Sequence, residues 1–471
     1  MRDLIFSLLV LGMVPVCFRR PFMGLLVFSW LAYMRPQDLT WGFARFQRWS
    51  YLIAFVTFLG FIRSRPQQWF MRDWRSYVMM AMAAIVGISV AASVEPDKEQ
   101  LTKYLEFAKI IVITLFTTVV VQRREQLRML IWVIALSLGF YGIKSGVWGL
   151  MTGLQGRIIR GPGGMMKDNN ALALALAMIL PLLIVLGRTE RRPMVRRAFQ
   201  VAAPLTCITI VLTHSRGGFL SMAGALGVLI WYSRNRIAVF SAAAVLGLVA
   251  VVLAPESYTE RITTIAEYKT EGSAAGRIYA WGIGWRMATA NPMLGVGLDK
   301  FRQHYIEYDP NPTAAKLSGH GIIEAHSSYV EMMAESGFLA FGMYLTLLFG
   351  SFATLWRVRY RARHHFQTSW ILSYATMLEA GLVAFVIGGT FLNRAHFDLI
   401  YHYVAIIMVF GRMAMKEMED PIAHPLRDGQ RGSLVPIQRR VLGQRGPGFG
   451  RGFGRAPGRL PTPTASFVER R

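Results

Sequence analysis

Long apolar segments separated by short polar loops occupy most of the chain. A hydrocarbon layer roughly 30 Å thick is spanned by about 20 apolar residues in an α-helix, so the longer segments predict transmembrane helices. The first three segments are short, and the first two are compatible with tilted spans or with a re-entrant hairpin. The pattern predicts an all-α polytopic membrane protein with about 12 transmembrane helices. The apolar segments lie at residues 4–17, 21–34, 50–62, 77–93, 105–121, 127–150, 170–187, 197–213, 217–233, 237–254, 328–356, 369–391 and 398–414.

Composition agrees with a membrane protein, and charge assigns a side to each loop. Of the 471 residues, 53% are hydrophobic and 17% are charged, which excludes a water-soluble multidomain enzyme. The most basic loops fall on one side when the segments are alternated, and the positive-inside rule makes that side cytoplasmic. These loops are 63–75, 122–128, 187–197, 233–236 and 357–365.

The opposite side, predicted to be periplasmic, receives the loops at 93–100, 151–169 and 213–218 and the large segment 255–326. The large segment carries seven Lys/Arg and eight Asp/Glu, so the formal net charge of +25 comes from the rest of the chain. Because topology explains this excess, no nucleic-acid partner is expected.

This topology divides the chain into four parts. N-terminal transmembrane helices occupy 1–254, a periplasmic helical segment 255–326, C-terminal transmembrane helices 327–415, and a tail 416–471. The tail has no apolar periodicity, so we expect a disordered basic cytoplasmic tail beside anionic membrane lipids. RNA binding is the alternative for its Arg- and Gly-rich composition. The two cysteines lie in apolar segments, so neither a disulfide nor a thiolate metal site is expected.

Cations on the periplasmic side are not needed for topology, and the first cluster of them lies in GRIIRGPGGMMKDNN at 156–170. Asp168 or Asn169 can cap the next helix, while Arg160 and Lys167 lie near its positive N-terminal end. Cations together with free backbone N–H groups at a helix start predict a phosphate site. An ordinary interfacial loop with capping residues is the alternative.

The second cluster is the THSRGG turn at 213–218. Arg216 is held at the predicted periplasmic interface, and Gly217 and Gly218 allow another backbone or a ligand to approach closely. An arginine that extends from a helix end to the interface is the alternative. The positive-inside rule does not explain an arginine on the translocated side, so we favour a functional role for Arg216.

The third cluster lies at 274–301. Arg277, Trp281 and Trp285 recur every four residues, which predicts one face of an amphipathic helix that lies on the membrane surface and ends at the following Asn-Pro pair. For the two tryptophans we favour a structural role at the interface. Arg286 lies on a different face from Arg277, so the two arginines need not serve one site.

The stretch GIIEAHSSYVEMMAESGFL at 321–339 places His326 just before an apolar segment. Ser328 and Glu331 fit a capping box, so a helix is predicted to begin near Tyr329. The helix dipole disfavours an imidazolium at His326, and we expect a neutral ring that can accept a proton. A hydrogen-bonded structural histidine is the alternative.

The sequence also bears on a possible zinc site and on a carboxylate within the membrane. His320 and His326 are six residues apart and would not share a helix face, so the zinc-binding H-E-x-x-H pattern is absent and no metal is expected. Glu379, within the segment 369–391, is an intramembrane ionisable group and therefore a functional candidate, although the sequence does not identify its partner.

Taken together, these motifs resemble the O-antigen ligase and polymerase superfamily of bacterial inner-membrane glycosyltransferases. The order SRGG, then GR…W…NPMLGVGLDKF, then AHSSYVEMMAESGFLAFGMYL carries the resemblance. The N-terminal sequence and GPGGMMKDNN resemble the subgroup of O-glycosylation ligases associated with exosortase systems. The resemblance covers residues 1–415 and not the tail.

The resemblance implies a multi-pass inner-membrane protein with a fold similar to the C-type glycosyltransferases. It implies metal-independent, cofactor-free transfer of a glycan from an undecaprenyl diphosphate donor to a hydroxyl of lipid A core or of a protein, at the periplasmic face. His326 matches the family's histidine and is expected to act as the base. Arg216 and Arg277 match its arginines and are expected to hold the diphosphate. To these we add three cations on the grounds of side and charge: Arg160, Lys167 and Arg286.

Two other functions stay open at this point. An O-antigen polymerase, which uses the same donor, is the nearest alternative to a ligase. A lipid-linked glycan transporter is a third, but it is expected to have an internal repeat and charged residues deep within several spans. The sequence offers only Glu379 and the near-interfacial Lys109 and Lys144.

Overall fold

The apolar segments form helices in the computed structural model, which describes residues 1–92, 97–233, 235–237, 241, 272–312, 322–363 and 370–419. Two 3-10 helices, Pro36–Leu39 and Phe43–Phe46, follow the second α-helix. An antiparallel pair of strands, β1 (Arg160–Gly163) and β2 (Met166–Asp168), precedes the seventh. The α-helices are α1 (Arg2–Arg19), α2 (Pro21–Tyr33), α3 (Trp49–Arg63), α4 (Trp74–Ala91), α5 (Lys98–Val120), α6 (Arg124–Met151), α7 (Asn169–Thr189), α8 (Pro193–Leu212), α9 (Arg216–Trp231), α10 (Gly272–Ala290), α11 (Phe301–His304), α12 (Ser328–Ala362), α13 (Trp370–Gly389) and α14 (Asp398–Glu419).

All of the predicted apolar segments except 237–254 coincide with helices, and that segment lies mostly outside the described residues, as does the tail from residue 420 onward. Among the described helices, seven are long and apolar enough to span a membrane, namely α4, α6, α7, α8, α12, α13 and α14. Helices α2, α3 and α9 are apolar but shorter, and the first half of α5 is charged. The all-α, multi-pass prediction is therefore confirmed, whereas the expected number of about 12 spans is not.

Helix α7 forms the centre of the bundle, and its residues from Ala171 to Leu183 are all buried. It packs against α6, α8, α9 and α13. Its Ala-Leu repeat lets neighbouring helices come close, because every second side chain is a methyl group. Gly218 of α9 lies so near the methyl group of Ala173 that a Cβ on this glycine would overlap it. The predicted close approach at the second cluster is thus confirmed.

One end of the bundle, named here the His326 end, brings together the starts of α7, α9, α12 and α14. Arg394, in the loop before α14, pairs with Asp168 at the start of α7. Asn169 Nδ2 donates to the carbonyl of Thr213, just before α9, at 2.8 Å. The loops that carry the predicted cation clusters therefore meet at this end.

The opposite end, named the Arg359 end, is flanked by the loops predicted to be cytoplasmic. Arg359 of α12 pairs with Glu379 of α13 at 2.5 Å, and Trp356 Nε1 donates to the same carboxylate at 3.0 Å. The sequence left the partner of Glu379 open, and the structure supplies it. Glu379 stabilises the packing of α12 on α13 instead of standing alone in the membrane.

Helix α12 is not continuous, because Gly337 interrupts it with φ 80° and ψ 173°. This backbone conformation is essentially restricted to glycine. The sequence predicted an unbroken segment at 328–356, so the break is a correction. Its cause is the loop 292–297, which lies directly against the interruption.

The contact between residues 292–297 and 334–338 is named here the Gly337 seam. A Cβ on Gly337 would lie 2.6 Å from the carbonyl carbon of Met293, so a larger residue does not fit. The seam joins the loop that follows α10 to the first turns of α12. Its backbone hydrogen bonds run from Phe338 N to Pro292 O (2.9 Å), from Val296 N to Ala334 O (2.9 Å) and from Gly297 N to Glu335 O (3.0 Å).

Candidate functional site

His326 lies in the extended stretch before α12, and its backbone is held on both sides. Its φ of 46° falls in the left-handed region, which costs about 1–2 kcal/mol for a residue with a Cβ. On one side, Trp281 Nε1 of α10 donates to the carbonyl of Ala325 at 2.8 Å. On the other, the N–H of Ser327 donates to Asn393 Oδ1 at 2.9 Å. These two hydrogen bonds fix the unusual conformation of the histidine.

The predicted capping box at the start of α12 is wrong. Ser327 is the N-cap residue and the helix begins at Ser328. Ser328 Oγ accepts a hydrogen bond from Arg394 N at 2.9 Å, and Glu331 accepts one from Ala395 N at 3.1 Å. Both side chains bind the loop 392–395 instead of the helix's own N–H groups, because that loop packs directly against the helix start.

Charged groups from four elements act on the imidazole of His326. Burial is the largest influence and lowers its pKa below the ordinary value of 6.5, and the Arg277 guanidinium lowers it further. Glu324 and Asp168 raise the pKa, and Arg394 lowers it. The direction agrees with the expected neutral ring, and burial and the Arg277 guanidinium are the largest causes of the lowered pKa.

Arg216 is the first residue of α9 and its side chain is exposed at the His326 end. The loop before α14 connects this position to the histidine. A Cβ on Gly217 would lie 3.7 Å from Leu392, and the carbonyl of Leu392 accepts a hydrogen bond from Ser328 Oγ at 2.7 Å. The loop before α14 thus contacts both α9, next to Arg216, and the start of α12.

The first cluster, predicted as a loop, forms the hairpin β1–β2, which turns through two glycines with positive φ at 163 and 164. Asp168 caps α7, as predicted, by accepting from Ala171 N at 2.9 Å. The same carboxylate pairs with Arg394, so a negative charge already occupies this helix end. Arg160 and Lys167 are exposed on the two strands, and their binding of a phosphate stays a prediction.

Helix α10 spans the residues predicted for an amphipathic helix, but Arg286 and Arg277 face different ways. They are nine residues apart, which corresponds to about 180° around a helix. The charge of Arg286 acts on Tyr279, which donates to Asp309. The structure therefore brings Arg277 to His326 and directs Arg286 elsewhere.

A cavity of about 1430 Å³ opens at the His326 end, and the histidine itself is not among its lining residues. Asp168, Glu324 and Arg394, which act on the imidazole, also line this cavity. One part of its wall consists of apolar side chains from α2, α3 and α5. Another part consists of charged side chains from α5, from residues 298–303 at the start of α11 and from the loop before α14. Of the cations predicted in the first cluster, Lys167 lines the cavity and Arg160 does not. Such a wall suits an amphiphilic molecule.

Sequence reasoning missed the loop 392–396, which supplies Asn393 and Arg394. Asn393 also donates through Nδ2 to Glu324 Oε2 at 2.8 Å. These residues are more than sixty positions from the histidine in the sequence, so no local spacing reveals them. The available signal was the polar interruption NRAH between two apolar segments on the predicted periplasmic side.

The described part of the chain contains no group of three or more His, Cys, Asp or Glu side chains that could hold a metal ion. His320, which belongs to the zinc alternative, lies outside that part.

Comparison with protein families assigns the part of the chain that contains this site. Residues 201–345 match the family model described as O-antigen ligase. This segment contains Arg216, Arg277 and His326. This match, which covers less than half of the chain, supports the O-antigen ligase and polymerase superfamily for that segment. A match to this family implies, in general, an enzyme of the glycosyltransferase type whose partners are lipid-linked glycans and their acceptors.

The other comparisons are less informative. A second family model, described as a family of unknown function (DUF5935), matches residues 1–191, from α1 to the end of α7. A search of the curated proteins finds no match to the chain.

Proposed function

We propose that the protein is a glycan ligase. It transfers an O-antigen-type polysaccharide from undecaprenyl diphosphate to an acceptor hydroxyl, of lipid A core or of a protein, at the periplasmic face of the bacterial inner membrane. The observation that carries the proposal is His326: a partly buried imidazole with a lowered pKa, fixed beside Arg277 within the O-antigen ligase segment. The periplasmic assignment rests on the basic loops, which flank the Arg359 end.

The proposed reaction uses His326 as a general base. The imidazole takes the proton of the acceptor hydroxyl as its oxygen attacks the anomeric carbon of the glycan. The bond between that carbon and the phosphate oxygen breaks, and its electron pair stays on the departing undecaprenyl diphosphate. Asp168 and Glu324, which raise the pKa of His326, stabilise the imidazolium that forms.

Cations supply the remaining chemistry. Arg277 and Arg216 bind the donor diphosphate and stabilise the charge that builds on it as it leaves. Because the leaving group carries its own activation, orientation, cations and a base are sufficient, and we infer a metal-independent reaction without a cofactor. Three further cations contribute to the approach of the anionic donor: Arg160, Lys167 and Arg286.

The replacement His326→Ala tests the base. Glycan transfer by purified protein in lipid nanodiscs should fall by about 10²–10⁴-fold, while binding of the donor is retained. His304→Ala is the matched control, since His304 bonds to Glu307 at 2.8 Å and has no part in the proposal. Retained transfer by the His326 variant at normal protein level would refute the assignment.

Arg216→Lys tests the diphosphate site. Lysine keeps the charge but loses the planar fork that binds a phosphate through two N–H groups, so the KM for the donor should rise. Donor affinity equal to that of the wild-type protein would remove Arg216 from the site.

The ligase and polymerase alternatives differ in the acceptor. Purified protein supplied with labelled donor and with lipid A core or protein should modify one of these acceptors. If the protein lengthens only lipid-linked chains, the polymerase alternative is correct. If labelled donor crosses a vesicle membrane without forming any new glycosidic bond, the protein is a transporter.

A further inference from the structure

The structure assigns a catalytic contribution to a residue outside the O-antigen ligase segment. We propose that Asn393 is a positioning residue, which holds His326 in its left-handed conformation and keeps Glu324 beside the imidazole. The proposal rests on the proposed role of His326 as base. It makes the loop before α14 part of the catalytic apparatus.

The side chain of Asn393 makes two hydrogen bonds to residues that flank His326. Its Oδ1 accepts from Ser327 N at 2.9 Å, and its Nδ2 donates to Glu324 Oε2 at 2.8 Å. One side chain therefore binds the residue that follows the histidine and the residue two positions before it. An amide is needed for this arrangement, because one atom must accept and the other must donate.

The backbone conformation of His326 depends on these hydrogen bonds. A φ of 46° at His326 is unfavourable for a residue with a Cβ, so surrounding contacts must maintain it. Ser327 is only 2% exposed, and without Asn393 its N–H would be left buried without a partner. Loss of the amide thus favours a rotation of this peptide that carries the imidazole away from its present position.

The Asn393 amide also affects the charged groups around the His326 imidazole. Arg277 from α10, Asp168 from the start of α7, Arg394 from the loop before α14 and Glu324 from the stretch itself act on His326. Glu324 is exposed, so only a bonded partner can fix its carboxylate. The amide of Asn393 therefore sets the distance from this carboxylate to the ring.

The first experiment compares Asn393→Ala with Gln155→Ala, an exposed amide at the same end of the protein. In nanodiscs, kcat for glycan transfer should fall by about tenfold in the Asn393 variant, as expected for one buried N–H left unbonded. The KM for the donor should stay within about twofold, because Arg216 and Arg277 are untouched. The control should keep wild-type kcat.

The second experiment separates positioning from stability. Asn393→Asp keeps the acceptor for Ser327 N but opposes the Glu324 carboxylate, so kcat should fall and the acid limb of the pH profile should move to higher pH. Glu324→Gln alone should move the limb to lower pH. The double variant N393D/E324Q restores one donor, one acceptor and one negative charge with the hydrogen bond reversed, and it should recover most of the lost kcat.

A titration of His326 by NMR, with isotope-labelled histidine in the full-length protein, reads the same effect without any reaction. The pKa should rise in N393D and return in the double variant even if glycan transfer is never observed, so failure of the proposed function is distinguishable. Wild-type kcat in Asn393→Ala would overturn the proposal. A stable double variant with neither kcat nor pKa restored would overturn it as well.

Discussion

The replacement Gly337→Ala is expected to destabilise the protein strongly, although it adds a single methyl group to a helix. At φ 80° and ψ 173° an alanine is strained, and its Cβ would lie 2.6 Å from the carbonyl carbon and oxygen of Met293. The helix must shift away from the loop, and the three backbone hydrogen bonds of the Gly337 seam lengthen or break.

The size of the effect follows from these terms. The backbone conformation costs about 1–3 kcal/mol for a residue with a Cβ, and each lost hydrogen bond costs about 0.5–1.5 kcal/mol. The two contributions overlap, because a shift that relieves the strain is the one that breaks the bonds. We expect a loss of about 3–5 kcal/mol in the free energy of unfolding.

Gly342→Ala, on the same helix, is the matched control. A Cβ there meets nothing within 4 Å, so alanine should be neutral or should stabilise the helix by about 0.5–1 kcal/mol. Thermal unfolding in nanodiscs, followed by tryptophan fluorescence, measures both variants. A melting temperature several degrees below wild type is expected for Gly337→Ala. Equal melting temperatures for the two variants would refute the role given to the seam.

Two further predictions concern charges at opposite ends of the bundle. Arg277→Gln removes a cation that lowers the pKa of the histidine base. The base works unprotonated, so the acid limb of the kcat profile should move up toward pH 6.5; an unmoved limb would mean that Arg277 does not act on the ring. Glu379→Leu leaves Arg359, whose side chain is 16% exposed, without its carboxylate and should cost about 3–5 kcal/mol in thermal stability. The double variant with Arg359→Met should recover most of this loss, and a single variant as stable as wild type would contradict the expectation.

The sequence predicted most helices because their cause is local. An apolar segment that is long enough to cross the membrane is expected to form an α-helix. The cap at Asp168 was predicted because a carboxylate at a helix start can accept a hydrogen bond from a free backbone N–H group. The close approach at Gly218 was predicted for a similar reason, since a glycine pair at a turn between two helices indicates that little space is available.

The parts that could not be predicted depend on contacts between distant residues. Ser328 and Glu331 have the spacing of a capping box. The loop 392–395 is packed against both side chains, however, and its N–H groups donate the hydrogen bonds to them. The break at Gly337 exists because another loop lies against it, and a glycine in an apolar segment does not by itself indicate that neighbour. Asn393 was missed for the same reason, as its partners are remote in sequence.

The Gly337 seam has a mechanical consequence for the enzyme. Through the seam, and through the hydrogen bond from Trp281 to Ala325, the α10 helix and the loop after it are bonded to the histidine stretch and to both sides of the break in α12. The seam holds residues on both sides of the glycine, and so it fixes the bend between the first turns of α12, next to His326, and the rest of that helix.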